Sequence, residues 1–385
     1  MQRIYYLLSL KLKRPSITWL FLSLPKIKNM KLFNYLLIAT LLISSCKEDE
    51  ADAPIFDENY GEGMYIVTDI GVSFYNYKDS LAQVINQIYK TVNNITISNP
   101  KKIKFNGGKA YILADNYIIV VDAKTFEHQG MISGFVNPVD FDFVSNDRLF
   151  VVDKGDSKVK VVNLKNMEIT SDIETGDNTS PVFILSNSYK SFVLNGGELS
   201  SQIKDSTVVV IEYRDNLVAL ANFEGSLQVG ENPNSAIFTQ AGRLIVLCKG
   251  IYDVVNPNNN TASFLSDINQ YSNEVYSTDI LSGIYDAQNL ISNFDNSRCY
   301  FTAEGGVYKL NPNTLNVTSL ASVNASLINT NIESLEVNDS TTVYYEMLYM
   351  NDTNSPNSIY KYNLDLSSFV DTIIVNGNVR DIKFY

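Results

Sequence analysis

The hydrophobic pattern from Met64 onward consists of short runs of Val, Ile, Tyr and Phe that are separated by Asn, Asp, Gly and Pro. Such runs between turn-forming residues indicate β-strands, and helical periodicity is scarce. One four-strand unit is clear, and a second copy follows it from Pro138 to Thr170. The strands predicted for the first unit are Pro100–Phe105, Lys109–Leu113, Ile118–Asp122 and Gly130–Ile132. Each copy is therefore expected to form a small antiparallel sheet.

The spacing of these units predicts the architecture. Predicted first strands begin near residues 100, 138, 181, 233, 285 and 332. Four strands per unit at a period of roughly 40–50 residues are typical of the blades of a β-propeller. Kelch repeats are disfavoured because the paired glycines and the Trp that they use are missing. Two consecutive β-sandwiches are the alternative, but they would leave the two ends of the repeat region unexplained.

Those two ends are complementary. Met64–Val67, Val72–Asn76 and Leu81–Ile88 are predicted as three strands without a first strand, whereas Val379–Tyr385 is predicted as a first strand alone. Pairing them completes a seventh sheet and hides edges that would otherwise promote aggregation. The sequence therefore predicts an all-β, seven-bladed propeller over residues 64–385, closed by one C-terminal and three N-terminal strands.

Residues 1–45 differ in character from the rest of the chain. They carry seven basic residues and no acidic ones, so the remainder carries −19, the difference between the whole-chain charge of −12 and +7. Met30 is a second candidate translation start, and Lys31 and the apolar run Leu32–Ile43 follow it. This run is too short to span a bilayer core, which takes ~20 apolar residues. We expect residues 1–45 to be an export signal that truly starts at Met30.

The end of this signal resembles a bacterial lipobox. Leu42-Ile43-Ser44-Ser45-Cys46 places small residues before a cysteine that would be acylated, and several acyl chains give durable membrane anchoring. A plain signal peptide with an unmodified Cys46 is the alternative. Lys47-Glu48-Asp49-Glu50 resembles the surface-export signal of Bacteroidota lipoproteins, although an ordinary acidic linker reads the same way. Residues 46–63 are interpreted as a lipidated acidic tether, and the protein is expected at the outer membrane, facing outward.

The segment Tyr111–Phe126 carries a resemblance to a known family. Tyr-Ile-Leu is followed by Ile-Val-Val-Asp-Ala-Lys-Thr-Phe, and a Gly and a Pro then open the next repeat. This pattern resembles YncE-like propeller proteins and is most similar to the Bacteroidota surface lipoproteins built on that fold. The resemblance covers about residues 60–385 and specifies fold better than function. It implies that some relatives pass a ligand to a TonB-dependent transporter, and one branch captures cobalamin.

Composition excludes several classes of function. A net charge of −12 argues against nucleic acid, which needs clustered Lys and Arg. His128 is the only histidine, so zinc or haem held by several histidines is excluded, and a catalytic triad would depend on this one turn residue. A non-enzymatic function without a cofactor is expected, and a calcium ion bound by the Asp- and Asn-rich turns is left open as the alternative. A propeller lyase or lactonase that uses Asp, Asn and calcium in the central channel stays the enzymatic alternative.

The two remaining cysteines are expected to be structural. Cys248 and Cys299 lie in predicted second strands of successive blades, where a free cysteine behaves as a small hydrophobe. Equivalent strands of neighbouring blades are too far apart for a disulfide.

Tyrosine is unusually abundant, with 24 residues in the chain. The segment Ser266–Gly283 is interpreted as a long polar and aromatic insertion between the fourth strand of one blade and the first strand of the next, and long loops on rigid scaffolds often carry binding sites. Tyrosine offers contact area and a hydrogen bond at low entropic cost. The candidate binding residues are Tyr252, Tyr271, Tyr276 and Tyr285.

The sequence therefore predicts a ligand-binding or accessory propeller of a TonB-dependent uptake system. A corrinoid-capturing propeller and a protein-binding scaffold are the alternatives. The small-molecule ligand is not identified by the sequence.

Overall fold

The computed structural model describes residues 60–79, 81–176, 179–197, 205–213, 222–338 and 341–385. These residues form seven antiparallel sheets arranged as the blades of a ring. The all-β propeller predicted from the sequence is confirmed. Within the described ranges no helix is long and apolar enough to cross a membrane.

Six blades consist of four strands that follow one another in sequence and in the sheet. Blade 1 contains β3 (Lys102–Asn106), β4 (Lys109–Leu113), β5 (Tyr117–Asp122) and β6 (His128–Ser133); blade 2 contains β7 (Pro138–Ser145), β8 (Arg148–Asp153), β9 (Lys158–Asn163) and β10 (Glu168–Glu174); blade 3 contains β11 (Pro181–Ser186), β12 (Lys190–Asn195), β13 (Thr207–Glu212) and β14 (Asn222–Gln228).

The next three blades follow the same order. Blade 4 contains β15 (Pro233–Phe238), β16 (Arg243–Cys248), β17 (Phe264–Asn269) and β18 (Val275–Ile280); blade 5 contains β19 (Gln288–Ser292), β20 (Cys299–Ala303), β21 (Gly306–Leu310) and β22 (Val317–Ala321); blade 6 contains β23 (Ala325–Asn338), β24 (Thr341–Asp352), β25 (Ser355–Asn363) and β26 (Ser368–Ile374).

Blade 7 joins the two ends of the repeat region. Its strands are β1 (Met64–Thr68), β2 (Gly71–Tyr75) and the C-terminal β27 (Val379–Phe384), in the order β2-β1-β27. Strand β27 pairs antiparallel with β1, and two backbone hydrogen bonds of 3.0 and 3.1 Å between Gly63 and Tyr385 extend the pairing. The predicted closure of the ring by the C-terminal strand is therefore confirmed.

The predicted third N-terminal strand over Leu81–Ile88 is reduced to a single bridge. Phe74 and Ile85 exchange two backbone hydrogen bonds of 2.9 Å, and the chain then enters the short helix α1 (Ile88–Asn93). Gln87 adopts the left-handed region with φ 54°, which interrupts the extended path directly before the helix. Blade 7 thus has two regular N-terminal strands and a bridge rather than three strands.

The hydrophobic cores lie between neighbouring blades, because each sheet packs both of its faces. Central strands are accordingly buried along almost their whole length, as in β8 and β16. One core cluster joins Tyr65 of blade 7 to Ile112 of blade 1, and another joins Ile66 of blade 7 to Tyr349 of blade 6. The closing blade therefore packs against a neighbour on either side.

First strands of neighbouring blades contact one another and form the innermost layer of the ring. We call the side of the ring where first strands begin the upper face, and the side where they end the lower face. Because the strands of a blade alternate in direction, the connections between first and second strands and between third and fourth strands all lie on the lower face.

The closing strand offers a direct test of the fold. Ile382 of β27 is 1% exposed and packs in the core between blades 6 and 7. We expect Ile382→Ala to lower the free energy of unfolding by about 2–5 kcal/mol, as for other deletions of buried aliphatic groups. Val370→Ala in β26 is the control, because Val370 is 48% exposed and should cost no more than about 0.5 kcal/mol. Urea unfolding measures both, and equal small losses would contradict the packing of β27.

Candidate functional site

The innermost strands place polar side chains at the inner edge of several blades. Each first strand has a central residue, and the residues directly before and after it lie on the side that faces the next blade. We call these two sets the preceding row and the following row. The central residues are Ile103, Phe141, Ile184, Ala236, Leu290, Thr330 and Ile382. The preceding row is Lys102, Asp140, Phe183, Ser235, Asn289, Asn329 and Asp381; the following row is Lys104, Asp142, Leu185, Ile237, Ile291, Asn331 and Lys383.

Five of the seven residues in the preceding row, all except Lys102 and Phe183, hydrogen-bond to backbone groups of the next first strand. Asp381 accepts from the Ile103 N–H at 3.0 Å, and Asp140 accepts from the Ile184 N–H at 3.2 Å. In the same way, Ser235 accepts a hydrogen bond of 2.9 Å from the next blade's first strand. These contacts satisfy backbone groups that the open inner edge of a sheet would otherwise leave unpaired.

Blades 1 and 2 contribute a cluster of opposite charges to this inner layer. The fully buried Asp140 lies 3.0 Å from the Lys102 ammonium and 3.6 Å from that of Lys104. Lys104 also lies 3.5 Å from Asp142, and it donates to the Phe141 carbonyl. Lys102 Nζ lies 5.7 Å from the ring centre of Phe183, two blades away from it around the ring. The carboxylates and ammonium groups of this cluster therefore compensate one another.

These ion pairs outweigh burial in setting the protonation states. Burial alone would raise the pKa of Asp140, but the charges of Lys102 and Lys104 and the Ile184 N–H hold that pKa below its ordinary value of 3.8. Burial would likewise lower the pKa of Lys104, but Asp140, Asp142 and Asp381 raise it above 10.5. Both groups are thus charged at neutral pH.

A cleft of about 510 Å³ opens on the lower face, between the ends of the first strands of blades 5 and 7 and the middle of the long strand β23 of blade 6. This volume falls within the ~300–1,000 Å³ typical of small-molecule sites. Its lining combines amides, hydroxyls, one ammonium, one carboxylate and apolar side chains. The residues are Ser292, Asn293, Phe294, Asn329, Thr330, Asn331, Ile332, Glu346, Lys383 and Phe384.

The long hairpin of blade 6 borders this cleft. Strands β23 and β24 contain 14 and 12 residues, and β24 pairs with β25 only from Met347 onward. Residues 341–346 therefore pair with β23 alone and continue beyond the blade at its lower face. Near the base of this extension, Ile332 lies opposite Glu346, and both line the cleft. Tyr344, which lies farther out on β24, is 69% exposed.

The segment Ser266–Gly283, interpreted above as an insertion, is corrected by the structure. It contains most of β17 and all of β18, which are the third and fourth strands of blade 4. The interpretation failed because Ser266, Asp267, Thr278 and Asp279 interrupt the hydrophobic run, although Ser266 and Thr278 form a hydrogen bond of 3.0 Å between the strands. No separate loop is formed there.

The four candidate tyrosines are divided between the two faces. Tyr252 and Tyr285 lie in connections on the upper face with ring centres 6.4 Å apart, and Tyr252 donates to Glu304. Tyr271 lies in the lower-face turn between β17 and β18, and Tyr276 lies in the outer strand β18. The structure therefore does not bring the four residues into one site.

Cys46, Lys47, Glu48, Asp49 and Glu50 lie outside the described residues.

The sole histidine and the two described cysteines occupy structural positions. His128 begins the outer strand of blade 1, where its Nδ1 lies 2.9 Å from the Tyr89 hydroxyl. Cys248 and Cys299 are buried free thiols, as expected, and burial raises the pKa of each to about 12. Among the described residues, no group of three or more His, Cys, Asp or Glu side chains is arranged to hold a metal ion.

The residues that line the cleft were missed by sequence reasoning. Asn331 and Lys383 occupy the same place in their first strands, directly after the central residue. Aligning the seven first strands by that residue would have shown where polar side chains replace the apolar Leu185, Ile237 and Ile291.

Comparisons with known proteins support the fold. No protein-family model and no curated protein sequence matches the chain. Solved structures do match. A quinonprotein alcohol dehydrogenase-like protein of Bacteroides thetaiotaomicron is 14% identical, with a TM-score of 0.58 over 85% of this chain and 79% of its own.

Two further matches cover the whole of the other chain. A protein of Bacteroides fragilis provisionally named a 6-phosphogluconolactonase is 11% identical, with a TM-score of 0.60 over 87% of this chain and 100% of its own. A similarly named protein of Bacteroides uniformis is 11% identical, with a TM-score of 0.61 over 85% of this chain and 100% of its own. At identities this low, the matches support the propeller fold of this chain and carry no information about its activity.

The buried charge cluster generates a prediction about stability and pH. Asp140→Asn leaves Lys102 and Lys104 with less compensating charge, so we expect a loss of about 3 kcal/mol at pH 7. Because the folded pKa of Asp140 is depressed, this stabilisation is present above pH 3.8 and is lost as the pH falls through the folded value. Urea unfolding at several pH values should therefore show the two proteins converging in acid.

Asp172→Asn is the matched control for this experiment. Asp172 pairs with Lys158 at 3.1 Å, but its side chain is 45% exposed, so its removal should cost at most about 1 kcal/mol. A loss at Asp140 that is no larger than the loss at Asp172, or that does not change with pH, would contradict the role given to the cluster.

Proposed function

We propose that the protein is a non-enzymatic, lipid-anchored surface protein whose propeller binds a small ligand at the lower-face cleft, as an accessory of an outer-membrane TonB-dependent uptake system. The observation that carries this proposal is the position of the cleft. The cleft lies on the lower face, and the chain enters the propeller on this same face after the tether of residues 46–63.

The cleft and the point where the chain enters the propeller lie on the same face. The Tyr60 N–H donates a hydrogen bond of 2.7 Å to the carbonyl of Lys124, which lies in the lower-face connection between β5 and β6. Phe384, which lines the cleft, ends β27 at this face as well. Fourteen residue steps separate Cys46 from Tyr60, a reach of at most about 50 Å. In this proposal the tether therefore joins the propeller on the face that carries the cleft, and a transporter would receive the ligand on that face.

Binding is favoured over catalysis because the inner carboxylates are already engaged. Asp140 and Asp142 are paired with lysines, and Asp381 accepts from two backbone N–H groups. In the cleft, Glu346 is paired with Arg298 at 3.0 Å. A general acid or base needs a carboxyl group that is free to exchange a proton near neutral pH. The names of the structural neighbours include a lactonase. Lactone hydrolysis is therefore the enzymatic activity whose presence would contradict the proposed binding function.

The anchor is tested by acylation. We expect Cys46→Ser to abolish incorporation of an alkyne-labelled palmitate and to release the protein from the outer-membrane fraction. Lys47→Ala combined with Glu48→Ala, Asp49→Ala and Glu50→Ala should keep the label but should protect the protein from protease added to intact cells, because it would remain on the inner leaflet. Label on the Cys46→Ser protein, or unchanged protease access in the second variant, would contradict the anchor or its surface export respectively.

The binding function is tested by a ligand screen on full-length protein with Cys46→Ser. Thermal shift against a small-molecule panel that includes cobalamin and cobinamide should yield a ligand whose effect is lost in Phe294→Ala. Phe294 lines the cleft and is 86% exposed, so this change should not affect folding. Tyr189→Ala is the matched control, because Tyr189 is 70% exposed outside the cleft.

Two outcomes would count against this function. A ligand that binds equally well to wild type and Phe294→Ala would place binding elsewhere. Hydrolysis of 6-phosphogluconolactone, above the rate without protein, would make the chain an enzyme.

A further inference from the structure

The polar groups of the cleft are not balanced between donors and acceptors. Most acceptors have partners within the protein. The Asn329 carbonyl oxygen accepts from the Thr330 N–H at 2.8 Å, and the Asn293 carbonyl oxygen accepts from the Arg298 N–H at 3.0 Å. Ser292 donates its hydroxyl to Asn296 at 2.5 Å. These side chains are already hydrogen-bonded within the protein, so they stabilise the walls of the cleft and are not free to bind a ligand.

The one carboxylate of the cleft is also satisfied. Glu346 accepts at 3.0 Å from Arg298 and at 3.3 Å from the hydroxyl of Tyr300, and its own N–H donates to Asp365 at 2.9 Å. The side chain of Glu346 is only 12% exposed. Arg298 thus compensates its charge, so Glu346 forms a neutralised part of the wall.

Two donors remain without a partner among the described residues. The side-chain nitrogen of Asn331 is buried and makes no hydrogen bond. The ammonium group of Lys383 makes neither a hydrogen bond nor an ion pair there, unlike Lys102 and Lys104 in the other inner-edge cluster. A buried donor without an acceptor, such as the Asn331 amide, keeps the cost of having lost its water, so a ligand that supplies an acceptor there regains this free energy.

The two donors belong to adjacent first strands. The Asn329 amide donates a hydrogen bond of 2.5 Å to the Ile382 carbonyl. This bond joins β23 to β27 just before Asn331 in one strand and Lys383 in the other. Asn331 follows Asn329 by two positions, and Lys383 follows Ile382 by one. Both line the same cleft, and the apolar side chains of Ile332, Phe384 and Phe294 complete its lining.

We propose that this cleft binds a carboxylate attached to an apolar or aromatic body, with the carboxylate accepting from Lys383 and Asn331. This inference rests on the proposed ligand-binding function and adds the chemical class of the ligand. A single ammonium and a single amide match the one negative charge and two oxygens of a carboxylate. The apolar body then covers Phe384, Phe294 and Ile332, and exclusion of water there strengthens the charged contact.

Matched pairs of probes test the charge requirement. Phenylacetate, indole-3-acetate and 4-phenylbutyrate are compared with their primary amides, which have the same shape and no charge. Binding to the full-length Cys46→Ser protein is measured by ligand-observed NMR titration. We expect at least one carboxylate to bind with a dissociation constant of about 1 mM or lower, and its amide to bind at least about tenfold more weakly. Added salt should weaken only the carboxylate.

Variants assign the contact to the two donors. Lys383→Met keeps the length of the side chain and removes the charge, and it should weaken the carboxylate about tenfold or more while leaving the amide unchanged. Asn331→Leu should weaken the carboxylate by a smaller factor. Lys165→Met is the control, since Lys165 is also on the lower face, is 75% exposed and pairs with Asp147. Circular dichroism melting verifies that each variant is folded.

The result can separate this inference from the function on which it rests. Equal affinity for the carboxylates and their amides, no binding of any carboxylate, or an unchanged affinity in Lys383→Met overturns the carboxylate assignment. If cobalamin or another neutral molecule meanwhile binds in a manner that depends on Phe294, the binding function stands and only the ligand class is wrong.

Discussion

The structure depends on the pairing of its C-terminal strand with its first N-terminal strand. Without β27, blade 7 would lose its innermost strand, β1 would expose an unpaired edge, and the Ile103 N–H of blade 1 would lose the Asp381 carboxylate. Because every core cluster lies between neighbouring blades, an open ring would expose apolar surface on two blades at once. A few residues at the end of the chain therefore determine whether the whole ring buries its cores.

A closed ring also forces its inner edge to be satisfied by side chains. The innermost strands face an axis where no further strand can pair, so backbone groups there need other partners. Asp140, Ser235 and Asp381 supply them, and lysines compensate the carboxylates that this arrangement buries. The charges of blades 1 and 2 are thus explained by architecture. Asn331 and Lys383 are different, because no described partner accounts for them, and that difference distinguishes the cleft from the rest of the inner layer.

The fold was predictable from sequence because a blade is a local unit, whereas the cleft was not because it is assembled from distant segments. The period of the repeats and the complementary ends gave seven blades. Leu81–Ile88 was mistaken for a full strand, since the left-handed Gln87 is not visible in a hydrophobic pattern. Ser266–Gly283 was mistaken for a loop because the buried Ser266 and Asp267 interrupt the hydrophobic run of β17, and because the outer strand β18 is mostly exposed and carries polar residues. The cleft combines Phe294, Asn331 and Lys383, and only the closed ring brings these three residues together.

The connections on the lower face can change in length without destabilising the ring. Connections on this face join strands that are already held by their neighbours within a blade, so lengthening one of them leaves the inter-blade cores unchanged. The hairpin of β23 and β24 is such an extension, and its base supplies Ile332 and Glu346 to the cleft. The chain enters the propeller on this same face through Tyr60. A propeller of this design can therefore change its ligand by altering one hairpin and a few residues at the ends of first strands, while β27 continues to close an unaltered ring.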